Sequence, residues 1–451
     1  MAEGLAAWAQ RAATGHLAVG RLVREAMRAM EAQGLEDVDP DEAAEVVERD
    51  PALTLHVVGA ANAVEHRHLD SEVGTVRHAA LMLGTARLFP LARTLPVDDE
   101  VLRGDALEGY RHAVARARRA AVLARDWARQ RGDQLPEEVY VAALVPFAGE
   151  LAAWTWEPQA MVAVEEAVSD GIAREDAEYI VLGCALARVS AAVARVWGLP
   201  PLGVQALDPA NALQPRTYGV MLAAEFGAAL DRGWTDPVAR ATLAQAAAWL
   251  ETGVTALEGR ARELLAEAGL AVPESVPPPP RAHYALAPRP DRYAAALAAL
   301  VEAPPTPVDR AVELALDALH EGLGLNRVVY ARLVRHGEAL RAHRIRGTEH
   351  SPTFNRFELA LLGGHLFAEL VERGGCLRVS AADEGTWRRV PEAVRELVGV
   401  PVFLTAAVRR RGEPVGLLYA DRRHPDLPIS GDEHARFAAV VDRLEQTLSA
   451  G

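Results

Sequence analysis

The residue types able to hold a metal or pass a proton include 62 acids, 14 histidines and 2 cysteines. Four histidines fall close together, His56, His66, His68 and His78. The His66-x-His68 step is short enough for both imidazoles to reach one divalent ion. A transition-metal site needs three or four ligands, however, and no acidic residue stands at ligand spacing on the adjoining helix positions. The run Val64-Glu-His-Arg-His-Leu-Asp70 reads as a polar loop, so these are expected to be surface or loop histidines rather than a metal centre. His112 follows Arg111 and precedes Arg116, Arg118 and Arg119, with no evident carboxylate to make it a general base. The two cysteines, Cys184 and Cys376, are expected to be small buried hydrophobes. They give no disulfide framework and fit a reducing compartment.

The elements that must position these groups are mainly helices. Half of the 451 residues are hydrophobic and only 5% are aromatic, with alanine and leucine dominant. Asp39-Pro40-Asp41-Glu42 and Asp50-Pro51 are helix starts, each with a capping acid before a proline. Apolar spacings of three and four predict helices over 111–131, 175–197, 217–231 and 236–267. Val272-Pro-Glu-Ser-Val-Pro-Pro-Pro-Pro-Arg281 then interrupts any helix and favours an extended spacer. Beyond it a helix over 306–323 precedes short β-branched runs at 327–334, 339–345, 376–379, 403–408 and 415–419. A last helix, roughly 431–448, is entered through Ser430 or Asp432. The expected division is 1–272 helical, 273–290 linker and 291–451 α+β with a mostly antiparallel sheet.

Charge follows the same division. Residues 291–451 hold 22 acids and 21 arginines, a net −1, which leaves −13 of the total −14 on the preceding 290 residues. There is no lysine. An acidic helical part argues against nucleic acid or an anionic membrane as its main partner. The start Met-Ala-Glu-Gly-Leu-Ala lacks a signal-peptide pattern, and no run of about 18 uncharged apolar residues is present, so a cytoplasmic location is expected.

Three stretches resemble the HDOD family, the HD-related output domains of bacterial signalling proteins. They are Asp50-Pro-Ala-Leu-Thr-Leu-His-Val-Val-Gly-Ala-Ala-Asn62, Thr75-Val-Arg-His-Ala-Ala-Leu-Met-Leu-Gly84 and Ala194-Arg-Val-Trp-Gly-Leu-Pro200. The resemblance marks Asp50, Pro51, Asn62, Gly84, Trp197 and Pro200 as structural motif positions. Asn62 is expected to close its helix and Gly84 to supply a backbone angle that a β-carbon resists. In the related HD hydrolases a His-Asp pair binds metal on a helix of the kind that begins Val139-Tyr140-Val141. Here Pro146-Phe147 stands at that position, Leu186 replaces a later histidine, and Asp208-Pro-Ala-Asn211 stands where a His-His pair could lie. His112 is then a relic ligand. Proline and phenylalanine offer a metal no lone pair.

The C-terminal part resembles a GAF domain, a small-molecule and signal-sensing module, through its first helix, its first strand, the hairpin ending Gly416-Leu-Leu-Tyr-Ala-Asp421 and its closing helix. Alternation puts Val328, Tyr330 and Arg332 on one strand face, expected to line a pocket with His343 and Tyr419. Val329, Ala331 and Leu333 are then expected against the terminal helices. Arg409-Arg410-Arg411 reads as a solvated hairpin tip. These resemblances imply a non-catalytic signalling protein without a cofactor, with a protein partner, a possible ligand in the GAF-like part and possible homodimerisation. The alternatives are a metal-dependent phosphohydrolase of nucleotide second messengers, or a receptor acting through the GAF-like cavity alone.

Overall fold

The computed structural model describes residues 5–34, 38–64, 73–277, 284–302, 307–424 and 427–450. His66, His68 and three of the four consecutive prolines lie outside these. The chain forms two compact units. Unit 1 comprises 1–167, 181–207 and 211–279, and unit 2 comprises 168–180, 208–210 and 280–451. Two short stretches from the middle of the chain are therefore grouped with its C-terminal part.

Unit 1 is helical. Its motif helices are α1 (Pro51–Asn62) and α2 (Val76–Leu83), followed by the long α3 (Gly104–Gln130). Asp50 caps α1 by accepting the Leu53 N–H at 2.9 Å, as the Asp-Pro start requires. The stretch expected to be one helix around Pro146 is three pieces: α4 (Pro136–Ala142), a 3-10 turn (Val145–Phe147) and α5 (Ala148–Trp156). Proline lacks the N–H that an uninterrupted helix needs there. The run Pro136–Trp156 is apolar and long enough to pass for a membrane span on composition, yet 78% of its most apolar window is buried within the fold.

The expected helix over 175–197 is likewise divided into α6 (Arg174–Leu182) and α7 (Leu186–Trp197), at Gly183, whose φ is +77°. Residues 174–180 of α6 are in unit 2. After α8 (Pro215–Ala229), the expected helix over 236–267 is split into α9 (Pro237–Trp249) and α10 (Val254–Glu267). Pro273 and Glu274 accept backbone N–H groups from Trp234 and Thr235, so the start of the proline-rich stretch is held on unit 1.

Unit 2 is built on a six-stranded antiparallel sheet. Its strands are β1 (Arg327–Val334), β2 (Ala339–Arg346), β3 (Glu358–Ala360), β4 (Cys376–Ser380), β5 (Val402–Arg410) and β6 (Glu413–Asp421), in the order β3-β2-β1-β6-β5-β4. The three-residue β3 is too short to leave a periodic signal in sequence. One face carries Val328, Tyr330, Leu404, Ala406, Leu418 and Ala420 against α11 (Val308–Asp317) and, beyond α12 (Leu366–Arg373), the closing helix α13 (Gly431–Ala450). The opposite face carries Val329, Phe403, Leu417 and Tyr419 against Phe354, Leu366, Phe367 and Val394. Each fully buried side chain of this size contributes about 1.5–3 kcal/mol. α13 opens with a reciprocal cap, in which Ser430 and Glu433 each accept the other's backbone N–H.

Candidate functional site

The Pro146-Phe147 position is surrounded by buried apolar residues. Val139 to Val145 are buried, as are Phe147 and Leu186. The Ser190 hydroxyl donates to the Pro146 carbonyl at 2.7 Å and accepts the Gly149 N–H at 2.8 Å. A β-carbon at Gly149 would lie 2.5 Å from the Leu186 carbonyl oxygen, so α5 and α7 meet backbone to backbone. Beside this position, Arg116 of α3 bridges Glu150 and Asp231, and Arg119 also reaches Asp231. Both arginine side chains are almost wholly buried. His112, on the same helix, is exposed. Among the described residues no group of three His, Cys, Asp or Glu side chains is arranged to hold a metal ion. Sequence reading missed the Arg116–Glu150–Asp231 network. Its signal was an arginine one turn after His112 and a glutamate just beyond Phe147.

The motif residues act as pins. Asn62 Nδ2 donates to the carbonyls of Val73 (3.1 Å) and Gly198 (2.9 Å), and its Oδ1 accepts the Val73 N–H at 2.8 Å. One amide thus ties the end of α1 to the approach to α2 and to the exit of α7. Gly84, between α2 and the next helix, has φ +65°, the region expected of it. Asp50 also accepts the Gly20 N–H at 2.7 Å, and Pro51 occupies the first turn of α1. Trp197 Nε1 donates to the Ala12 carbonyl at 2.8 Å, and Pro200 leads into the following short helix.

His56 corrects the surface reading of the histidine group. It is buried on α1, 4.6 Å from the Trp197 ring, and its Nε2 accepts the Leu17 N–H at 2.9 Å. Burial, with His16 nearby, pushes its pKa down to about 3, so it is a neutral core acceptor.

In unit 2 two of the four proposed pocket residues meet, the Tyr330 and His343 rings edge to face at 6.2 Å between centroids, and Tyr419 does not join them. Val328 and Tyr330, rather than Val329, pack against α11 and α13. Alternation separates the two faces but does not say which one receives the helices. Tyr419 lies on the opposite face from Tyr330, among Phe354 and Phe403, with its hydroxyl donating to Asp421. Asp421 is also paired with the buried Arg327 at 2.7 Å. His343 sits at the bulge where β2 slips past β1, and its Nε2 lies 3.0 Å from Asp309 of α11. Arg332 is exposed.

The expected solvated tip is also different. Arg411 and Gly412 form the turn with positive φ, while Arg409 is in β5 and donates to the carbonyls of Val371, Glu372 and Gly412. Cys184 is buried as expected, but Cys376 is only partly so. Its Sγ lies 3.4 Å from His434 Nε2, and burial pushes its thiol up to about 12.

The densest charged cluster of unit 2 is one that sequence reading passed over. Glu175, Asp176 and Glu178 on α6 are all buried. Glu175 accepts from Ser351 at 3.0 Å and from Arg423 at 3.3 Å, and Glu178 lies 2.8 Å from His350 Nε2. Burial opposes ionisation of Glu175, but Arg423 and His350 outweigh it and hold its pKa at about 2. Burial dominates at Asp176 and lifts it to about 7. His350 is opposed by burial too, yet Glu178 and Glu175 push it up to about 9. Asp208, from the second inserted stretch, accepts from Arg344 at 2.7 Å.

Comparison with known proteins follows this geometry. Residues 21–212 match the family model for the HDOD domain. The chain carries an HDOD domain there. A search of curated proteins found no significant match. Among solved structures, the chain is similar to the MmoQ response regulator of Methylococcus capsulatus, at 19% identity over 57% of this chain and 99% of that one, with a TM-score of 0.44. It is also similar to an HDOD domain protein of unknown function from Geobacter sulfurreducens, at 20% identity over 57% and 97%, TM-score 0.30. It is similar as well to a GAF domain/HD domain protein from Geobacter sulfurreducens, at 17% identity over 34% of this chain and 95% of that one, TM-score 0.27.

Proposed function

We propose that this chain is a non-catalytic signal-transduction protein of the bacterial cytoplasm, with its HDOD domain as the interaction and output element and a GAF-like region as the sensory or dimerisation element. The observation that carries this reading is the closed position at Pro146, Phe147 and Leu186, where side chains without lone pairs occupy the expected ligand places. The cations on that side of α3 are the guanidinium groups of Arg116 and Arg119, already neutralised by Glu150 and Asp231. Such a site has neither a ligand set for an ion nor a free base to activate water. Signalling then proceeds by population shift, with a partner protein or ligand favouring one of two arrangements of the chain.

The test is elemental analysis of the purified protein together with an assay against cyclic dinucleotides and mononucleotides. No stoichiometric Mn, Fe or Zn and no metal-dependent hydrolysis are expected. About one bound transition metal per chain, with turnover, would overturn the reading.

A further inference from the structure

Unit 1 contains a cavity of about 170 Å³ that none of the residues at the Pro146–Phe147 position lines. Its apolar lining includes Ala124 and Ala128 of α3, Val139 of α4 and the indole of Trp249 at the end of α9. That indole is seated by a glycine within α8: a β-carbon at Gly219 would come within 2.6 Å of the ring. Arg131 lies over the indole at 5.1 Å from its centroid and donates to the Trp249 carbonyl at 2.6 Å.

The two arginines at this cavity differ in their charge balance. Arg216 donates to Asp133 at 2.7 Å and to Glu138 at 3.0 Å. Among the described residues Arg131 is ion-paired only with Glu251, at 3.8 Å, and that carboxylate is 85% exposed. A guanidinium carries five N–H donors, so Arg131 keeps donors for a second carboxylate. A closed apolar cavity of about 150 Å³ suffices for a benzene ring. We propose that this cavity binds a small carboxylic acid bearing one apolar ring, with the ring against Trp249 and the two alanines and the carboxylate on Arg131.

The test uses the full-length protein titrated with phenylacetate, phenylacetamide and phenethylamine, read by ligand-observed NMR. Phenylacetate should bind about tenfold tighter than the amide, and the amine should not bind. Arg131→Met should equalise acid and amide, and amide binding retained by the variant shows that the cavity is intact. Ala128→Leu, which fills the cavity, should remove both. The proposal fails if acid and amide bind alike to the unaltered protein, if Arg131→Met keeps the preference, or if no probe binds at millimolar concentration. It also fails if a capped Phe-Glu dipeptide binds while phenylacetate does not, since the cavity would then anchor a peptide.

Discussion

The stretch from Val139 to Trp154 and the first turns of α6 treat polar groups in opposite ways. Around Pro146 and Phe147 the buried side chains are mainly valine, leucine, alanine and phenylalanine, with the Arg116–Glu150–Asp231 network beside them. On α6 it buries Glu175, Asp176 and Glu178 and supplies Arg423, His350 and Ser351 to meet them. Burying a carboxylate costs several kcal/mol unless a partner offsets it, so a buried acid cluster is weak evidence for stability. It does specify one arrangement of residues 168–180 within unit 2, because any other leaves charges unpaired. The contrast teaches that the acids of α6 hold a segment of unit 2 through charge, whereas the stretch around Pro146 packs mainly through apolar side chains.

The largest effect should come from breaking the charged region. Arg423→Met leaves Glu175 and Asp176 without their shared cation and should cost about 3–5 kcal/mol in urea unfolding of the full chain. A loss below about 1 kcal/mol would mean that water or rotation rescues the acids and that the contrast is overstated.

A smaller effect sharpens the other side. Gly84→Val should destabilise the protein by about 1–3 kcal/mol, through backbone strain alone, since no atom lies within 4 Å of where its β-carbon would stand. Gly84→Ala should lose nearly as much, because at φ +65° and ψ 166° any β-carbon strains the backbone. An alanine loss far below the valine loss would show that space rather than the backbone angle is limiting.

The smallest effect is on pH dependence. The pKa of His350 rises from 6.5 unfolded to about 9 folded, so its stabilising contribution is complete below about pH 6.5. That contribution is lost as pH rises through 9. Asp176, raised from 3.8 to about 7, also loses its contribution with rising pH, but between about 4 and 7. Thermal melting from pH 7 to 9 therefore isolates the histidine. The midpoint should fall over that window, and His350→Gln should flatten it. A slope unchanged by the substitution would remove His350 from the cluster's balance.

Much of the architecture was legible in sequence because it rests on local rules. Asp50-Pro51 set a cap and a helix start, Gly84 marked a turn needing positive φ, and β-branched runs marked five of the six strands. The residue types at Pro146-Phe147 were also readable, since the identity of a side chain needs no coordinates. Long-range choices were not legible. Nothing local distinguishes His56 from its neighbours. Only packing against Trp197 and the Leu17 N–H makes it a neutral core acceptor. Alternation along β1 separated two faces, but only the sheet's neighbours decided that Tyr330 meets α11 and α13 while Tyr419 meets phenylalanines. The acids of α6 carry no local sign of their role, because the groups that meet them, Arg423 and His350, are far away in sequence. Sequence determines what each segment can form and which chemistry it lacks. Tertiary structure decides which partners meet, because burial and charge pairing depend on residues that no local window contains.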